Sequence, residues 1–275
     1  MQEIETGDFT IPRWVICAPE AIRVVNWNVD RGTHLARVVD FLAGAKADLI
    51  LLQETDINAK RTHHVNVAKE IAQKLQMNYV FGREFQELAQ GSHASPAYHG
   101  QATLSRFPLS NSRIIRFRKQ SQFWQPHWFL PEIEPFQERI GGRLALVTDA
   151  KIAGRTFVTY NLHLESKGDD ALRQSQLAEV LDDVRSNNHD TPILLAGDFN
   201  LDASGPAVAA AMARSQFRDS FADRHSSTTP SSWFERGRMI DWIFVRGPVL
   251  TSQARVHQSI SASDHYPLSI ILTFT

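Results

Sequence analysis

One cysteine, Cys17, stands in 275 residues. No intrachain disulfide is possible, so packing alone has to hold the fold. A lone thiol also suits a reducing compartment, and the cytoplasm is the expected address. A surplus of one charge is missing too: 29 Lys and Arg stand against 30 Asp and Glu, a net of −1. Such a balance argues against a broadly basic nucleic-acid-binding surface, though it leaves room for a local basic cleft. No apolar run approaches the length of a membrane span. The first residues, Met-Gln-Glu-Ile-Glu-Thr-Gly-Asp, lack the basic and apolar regions of a secretion signal. There is no repeat of fixed period and no Pro- or Ser-rich linker. What remains is an ordinary globular composition, 43% hydrophobic and 21% charged, on a chain long enough to bury a core without staples.

Strand-like and helix-like stretches interleave, which favours one α/β domain over residues 21–275. Residues 1–20 hold two prolines and read as a loosely attached arm. Ile22 to Asn28 alternates, with Val25 and Trp27 on one side and Asn26 and Asn28 on the other. Helical spacing recurs over Thr33 to Lys46, Asn66 to Leu75 and Leu172 to Arg185, and a short helical piece over Pro206 to Met212. Strand patterns fall at Asp48 to Glu54, Tyr79 to Gly82, Gln101 to Leu104, Leu144 to Thr148, Thr156 to Leu164, Ile240 to Val245 and Tyr266 to Thr273. Residues 84–98 read as a loop, and Arg113 to Lys119 as a basic strand.

The sharpest stretch is Ile193-Leu194-Leu195-Ala196-Gly197-Asp198-Phe199-Asn200. It reads as a buried strand running into a glycine, then an acid and an amide two places apart. In extended chain Asp198 and Asn200 share a side, where they suit the orientation of a water and the holding of an oxyanion. The competing reading is an Asp-Phe-Asn turn bonded to its own backbone. Other strands also end in polar residues: Asn28, Glu54, Asn161 with His163, Asp241, and Asp264 with His265. Thr159, Asn161, His163 and Glu165 share one face of their strand, an unusual set for a merely solvated one. Asp264 and His265 point apart, so they do different work. Asp241 is the natural acid to hold the His265 ring.

The strings Trp27-Asn28, Leu52-Gln53-Glu54, Gly100-Gln101-Ala102, Leu104-Ser105-Arg106, Asn161-Leu162-His163-Leu164, Gly197-Asp198-Phe199-Asn200, Ile240-Asp241-Trp242 and Ser263-Asp264-His265 occur in that order. Together they resemble the endonuclease/exonuclease/phosphatase superfamily, over about residue 22 to the C-terminus. The resemblance implies a deoxyribonuclease I-like fold: a four-layer α/β/β/α sandwich of two packed mixed sheets flanked by helices. It implies Mg²⁺ or Mn²⁺ and hydrolysis of a phosphate ester. Glu54 becomes the principal metal ligand, with Asn28 and Asp264 nearby. Asp198 orients or deprotonates the attacking water. Asn200, His163 and His265 hold phosphate oxygens, and Asp241 orients His265. Gln101 departs from the family, which more often has Asn there.

Substrate signals are thinner. The segment His163-Leu164-Glu165-Ser166-Lys167 resembles that of tyrosyl-DNA phosphodiesterases, which makes Lys167 or Arg173 a candidate phosphate contact, with a solvated helix entry as the alternative. Asn161 is a further candidate substrate contact. Arg61 is a candidate for a second phosphate, with a pairing to Asp56 as the alternative, and His99 a candidate cleft residue. Arg113, Arg116, Arg118 and Lys119 form a short basic run. Trp124 and Trp128, in the aromatic 121–136 segment, read first as a packed lid and second as a substrate contact. The expected activity is phosphodiester cleavage on nucleic acid, as an endonuclease, exonuclease or DNA-end-processing nuclease. The alternative is a phosphatase or phospholipase C-like enzyme acting on phospholipid, sphingolipid or inositol phosphates. A binding module that kept the fold without the chemistry is the third reading.

Overall fold

Most strands of this chain are apolar on both sides, so each sheet needs a cover on both faces. The computed structural model describes residues 3–11, 19–125, 127, 129–131, 136–223, 225–231 and 236–275. Its strands are β1 (Ile4–Asp8), β2 (Ala21–Arg31), β3 (Leu49–Ile57), β4 (Asn78–Glu87), β5 (Ala97–Ser105), β6 (Leu109–Arg116), β7 (Arg139–Gly141), β8 (Leu144–Ile152), β9 (Arg155–His163), β10 (Ile193–Asp198), β11 (Arg218–Asp219), β12 (Asp241–Arg246), β13 (Val249–Val256) and β14 (Leu268–Phe274). The helices are α1 (Leu35–Ala45), α2 (Val67–Leu75), α3 (Asp170–Val184) and α4 (Pro206–Arg214). Asn66 and Asp169 cap α2 and α3, each accepting a backbone N–H from the first turn.

One sheet runs β1-β4-β5-β3-β2-β14-β13, with β7 beside β4; the other runs β11-β12-β10-β9-β8-β6. The pairs β2/β3 and β9/β10 are parallel. Val25, Trp27, Ile50 and Leu52 face α1 and α2 on the outside of the first sheet. Tyr160, Leu162, Leu195 and Phe244 face α3 and α4 on the outside of the second. Val24, Leu51, Phe157, Leu194, Ala196, Ile243 and Ile270 fill the space between the sheets. The architecture is therefore the α/β/β/α sandwich implied by the sequence.

That inner layer changes character along its length. One end is apolar. Further along, Asn26, Gln53 and Asn161 take the same inward positions, each fully buried. An unpaired buried amide costs about 1–3 kcal/mol, so these groups need one another. Gln53 Nε2 donates to Asn26 Oδ1 at 2.9 Å and to Asn161 Oδ1 at 2.7 Å. Asn161 Nδ2 donates to the Leu52 and Ala102 carbonyls, both at 3.0 Å. The polar plug bolts one sheet to the other directly beneath the strand ends that matter below.

Several local readings change. Ile4–Asp8 is no loose arm but an edge strand paired with β4. The expected 84–98 loop shrinks, because β4 continues to Glu87 and β5 begins at Ala97. The basic strand lies at Leu109–Arg116, and its cations are spent: Arg113 pairs with Asp183, Arg116 with Glu3, and Arg118 beyond it with Glu179. Trp124 is buried, as a lid residue would be, and donates to Glu165 Oε1 at 2.9 Å. Cys17 and Trp128 lie outside the described residues. Among the described residues no helix is long and apolar enough to cross a membrane.

Candidate active site

The site sits where the inward faces of several strands run out. On β2 the inward series is Ile22, Val24, Asn26 and then Asn28; on β10 it is Leu194, Ala196 and then Asp198; on β9, Phe157, Thr159, Asn161 and then His163. Asp241 opens the inward series of β12. Parallel register sets Asp198 beside His163, and antiparallel register sets it beside Asp241.

Gly197 makes that crowding possible. Its φ is +151°, and a Cβ there would lie 1.9 Å from the Leu162 carbonyl oxygen. Only glycine lets the backbone of β10 approach β9 so closely. The strand ends at Asp198 and Asn200 is left-handed, with φ +52°. Simple alternation therefore fails at this point. Asp198 Oδ1 accepts the Asn200 backbone N–H at 2.9 Å, which is the turn named as the competing reading. Turn and site coexist because the carboxylate has two oxygens. Asp198 Oδ2 faces the cleft, where Asn28 Nδ2 donates to it at 3.1 Å. The Asn200 side-chain amide donates to the Leu164 carbonyl at 3.1 Å.

Two imidazoles flank Asp198 Oδ2. His163 Nε2 and His265 Nε2 each lie 3.7 Å from it, beyond hydrogen-bond length, so neither ring is spent on this acid. His265 Nδ1 is 2.8 Å from Asp241 Oδ2, the pairing expected from sequence. Burial works against an imidazolium there, but Asp241 and Asp198 outweigh it, and the His265 pKa is raised well above the ordinary value. The backbone at His265 is pinned as well. Trp27 Nε1 donates to its carbonyl at 2.9 Å, and its N–H donates to Ser263 Oγ at 3.1 Å. Ser263 Oγ in turn donates to the Asn28 carbonyl at 2.7 Å.

Glu54 reaches the cleft by a different device. Alternation after Leu52 would turn it outward, towards the helices. β3 instead slips register against β5 between Leu52 and Thr55, and Glu54 has φ +55°. The bulge re-aims the side chain, so that Glu54 Oε1 lies 3.8 Å from His163 Nε2. Burial alone would raise the Glu54 carboxyl, but His99, His163, Arg31 and Arg143 face it and hold it well below the usual carboxylate range. Asp264, at the cleft mouth, is lifted above its ordinary value. Desolvation leads this shift, His265 opposes it, and the like charges of Glu54 and Asp30 add to it. Asn28 Oδ1 accepts the Asp30 N–H at 3.1 Å.

Three expected substrate contacts are placed elsewhere. Asn161 has both amide hydrogens committed within the plug, so it supports the site from below. Arg61 grips Asp56 with Nε at 2.7 Å and Nη2 at 3.1 Å, and reaches Glu87 at 3.0 Å. The alternative reading of Arg61, a pairing to Asp56, is the one seen. His99 is fully buried, with Nδ1 2.9 Å from Asp56 Oδ1, and does not line an open cleft. Lys167 is exposed, its ammonium 5.2 Å from the Phe123 ring centroid. Gln101 donates to Glu84 Oε1 and to the Leu144 carbonyl, each at 2.8 Å, within the protein rather than into a cleft.

Sequence reasoning missed Glu84 and Arg143. Arg143 is 2% exposed and donates to Glu84 Oε2 at 3.0 Å, while its Nη1 lies 2.8 Å from His163 Nδ1. Burial opposes the Glu84 charge, yet the groups packed against it, the Arg143 guanidinium among them, hold its pKa at about 2. Neither residue sits in a readable motif. The one available signal was an acid and a base flanking apolar strands with no solvent reason to be there.

The model that describes the Endonuclease/Exonuclease/phosphatase family matches residues 25–265. The chain belongs to that family. Its members are generally phosphoester hydrolases that depend on a divalent metal. The family fold recurs in an endonuclease/exonuclease/phosphatase from Beutenbergia cavernae, at 18% identity and TM-score 0.70, covering 93% of this chain and 72% of that one. The human nocturnin catalytic domain with bound sulfate anion aligns at 18% identity and TM-score 0.68, covering 99% of this chain and 98% of that one. A humanized Danio rerio TDP2 aligns at 17% identity and TM-score 0.64, covering 93% and 100%. At such identities the likeness is one of fold. No curated protein matches the sequence.

Proposed function

We propose that this protein is a divalent-metal-dependent phosphodiesterase acting on nucleic acid, as an endonuclease, exonuclease or DNA-end-processing enzyme. One observation carries the reading: a single carboxylate oxygen, Asp198 Oδ2, is flanked at 3.7 Å by two imidazole nitrogens that are not hydrogen-bonded to it. An acid between two such donors suits in-line attack on a phosphoryl group. Asp198 orients the water and takes its proton. His163, His265 and Asn200 hold the phosphoryl oxygens and meet the charge that builds on them. Asp241 keeps the His265 ring in register, with Nδ1–H towards itself and Nε2 towards the substrate. That the related nocturnin domain binds sulfate, a tetrahedral anion, agrees with a cleft of this kind.

The donor set fits Mg²⁺ or Mn²⁺. Such ions take hard oxygen ligands and keep several waters, so one or two carboxylates suffice. Glu54 supplies one that makes no hydrogen bond among the described residues, and its side chain is 17% exposed. Asp264 supplies a second, and Asn28 Oδ1 keeps a lone pair beside them. When bound, the cation neutralises charge on the phosphoryl oxygens. Asp198, Asp241 and His265 also bring one ligand atom each within 4.8 Å of one another. His265 Nδ1 already faces Asp241 there, so this trio is better read as the oriented histidine than as the metal site.

Nucleic acid comes first because of the rim. Glu165 accepts from Ser121 N and Trp124 Nε1, which draws the aromatic segment against the end of β9. This leaves Phe123, 62% exposed, beneath the Lys167 ammonium. An aromatic face beside a cation suits a base and its phosphate. The exposed Phe129 and Phe136 favour a second reading, hydrolysis at a phospholipid, sphingolipid or inositol phosphate head group. A single cysteine is consistent with work in the cytoplasm. A panel of single-stranded DNA and RNA, 5′-blocked DNA ends, inositol phosphates and sphingomyelin, each with Mg²⁺ or Mn²⁺, tests the reading. Cleavage of nucleic acid above the lipids is expected. Turnover of the lipids alone favours the second reading, and no turnover of any, bis-p-nitrophenyl phosphate included, favours a binding module.

A further inference from the structure

His163 and His265 stand at equal distances from Asp198, yet their far nitrogens meet opposite partners. His265 Nδ1 faces a carboxylate, Asp241, at 2.8 Å. His163 Nδ1 faces a guanidinium, Arg143 Nη1, at 2.8 Å. A guanidinium has five N–H donors and no acceptor. At this distance Nδ1 of His163 has to offer its lone pair, and the hydrogen bond on one ring nitrogen decides which nitrogen keeps the proton.

We propose that Arg143 is a positioning residue that fixes His163 as the Nε2–H tautomer, so that His163 enters the cleft as a hydrogen-bond donor. The surroundings agree. His163 Nε2 looks towards two carboxylate oxygens, Glu54 Oε1 at 3.8 Å and Asp198 Oδ2 at 3.7 Å, as an N–H should. Arg143 is itself held from three sides, by Glu84 Oε2 at 3.0 Å, by Ser166 Oγ at 3.1 Å and under the ring of Phe85. Glu84 supplies the counter-charge that a guanidinium 2% exposed requires. Glu84 Oε2 also lies 3.5 Å from His163 Nδ1, so removing the guanidinium leaves an acceptor ready to capture a proton at that nitrogen.

The inference rests on reading the cleft as a phosphodiesterase site, and its test does not depend on turnover. Histidine-labelled protein is examined by long-range ¹H–¹⁵N correlation without metal or substrate, with His163→Gln to assign the ring. Wild type is expected to give the Nε2–H pattern, and Arg143→Met an Nδ1-protonated one. Arg143→Lys, which still only donates, is expected to restore the wild-type pattern. If turnover is found, Arg143→Met lowers kcat by about 100-fold, the loss of one oriented donor, with KM changed far less, and Arg143→Lys recovers most of it. An Nδ1–H pattern in the wild type overturns the proposal outright, even if Arg143→Met fails to fold. A wild-type Nε2–H pattern with no phosphodiesterase activity upholds the tautomer and removes the function.

Discussion

Glu54→Gln tests the proposed metal ligand, because the amide keeps the shape of the side chain and loses its charge. The bulge that delivers residue 54 to the cleft is backbone geometry, φ +55° with a register slip after Leu52, and glutamine can occupy it equally well. Metal that binds the native state alone stabilises it by RT ln(1 + [L]/Kd), about 2.7 kcal/mol at a hundred times Kd. In a chain of this size that is a rise of roughly 5–10 °C in melting temperature. Even outer-sphere partners of a metal are worth 10- to 100-fold in affinity, so losing a direct carboxylate should cost at least about 100-fold. At the same Mg²⁺ concentration the variant then sits near its own Kd, and the stabilisation falls to about 0.4 kcal/mol, roughly 1 °C. The assay is differential scanning fluorimetry over a Mg²⁺ and Mn²⁺ series. The readout is the metal-induced shift and not the starting temperature, which changes for a separate reason. Four groups hold the Glu54 carboxyl below its ordinary range, so its charge stabilises the metal-free fold above the unfolded carboxylate pKa. That contribution fades as pH falls through the lower folded value, and glutamine lacks it throughout. A full-sized metal shift in Glu54→Gln refutes the ligand assignment.

Asp241→Asn exchanges a charge-assisted bond to His265 for a neutral one, a loss of about 1–2 kcal/mol. The expected fall in kcat/KM is about tenfold, with a melting temperature lowered by roughly 2–8 °C; unaltered activity discards the orienting role. Gly197→Ala forces a Cβ to within 1.9 Å of a backbone oxygen that cannot swing away, so a loss of about 3 kcal/mol or more is expected from urea unfolding. A midpoint equal to wild type contradicts the close approach of β9 and β10. Arg61→Met removes the guanidinium shared by Asp56 and Glu87, leaving His99 on the first and Arg139 on the second, and should cost about 1–3 kcal/mol in stability while leaving KM alone. Burial alone would raise Asp56, but His99 and Arg61 hold it below its ordinary value. The wild type therefore keeps this contribution above the unfolded pKa and loses it as pH falls through the folded one. A raised KM with unchanged stability would return Arg61 to the substrate rim.

Period-two alternation made much of this molecule legible. Val25 and Trp27 against Asn26 and Asn28 told which side of β2 meets the helices and which meets the other sheet, and the same rule carried His163 and Asp198 to one slot. It failed where the backbone leaves the strand conformation. Glu54 and Asn200 are left-handed, and Asp30 and Arg31 are too, in a second bulge on β2. A left-handed turn at a non-glycine residue leaves no mark in the string of letters, because surrounding packing imposes it. Edge strands were lost for another reason. Ile4–Asp8 has one neighbour and little burial, so its letters carry no strong pattern.

Long charged side chains were the deeper failure, and it follows one rule. Arg61 was free, on paper, to point at a phosphate or at an acid, and nothing in the letters placed Arg143 at all. A guanidinium at the end of a flexible stem can travel several ångströms, so its position along the chain constrains its partner weakly. What decides is whether a buried carboxylate lies within reach, since an unpaired one costs several kcal/mol and an arginine satisfies two of its oxygens at once. Asp56, Glu84 and Glu87 are all buried, and each has taken an arginine. Glu54 and Asp198 lie as near to the same interior and have taken none among the described residues. Asp241 and Glu165, also buried, take a histidine and a tryptophan N–H instead, so Glu54 and Asp198 are set apart by turning towards the cleft without an arginine ion pair, and that is where a bound cation is expected.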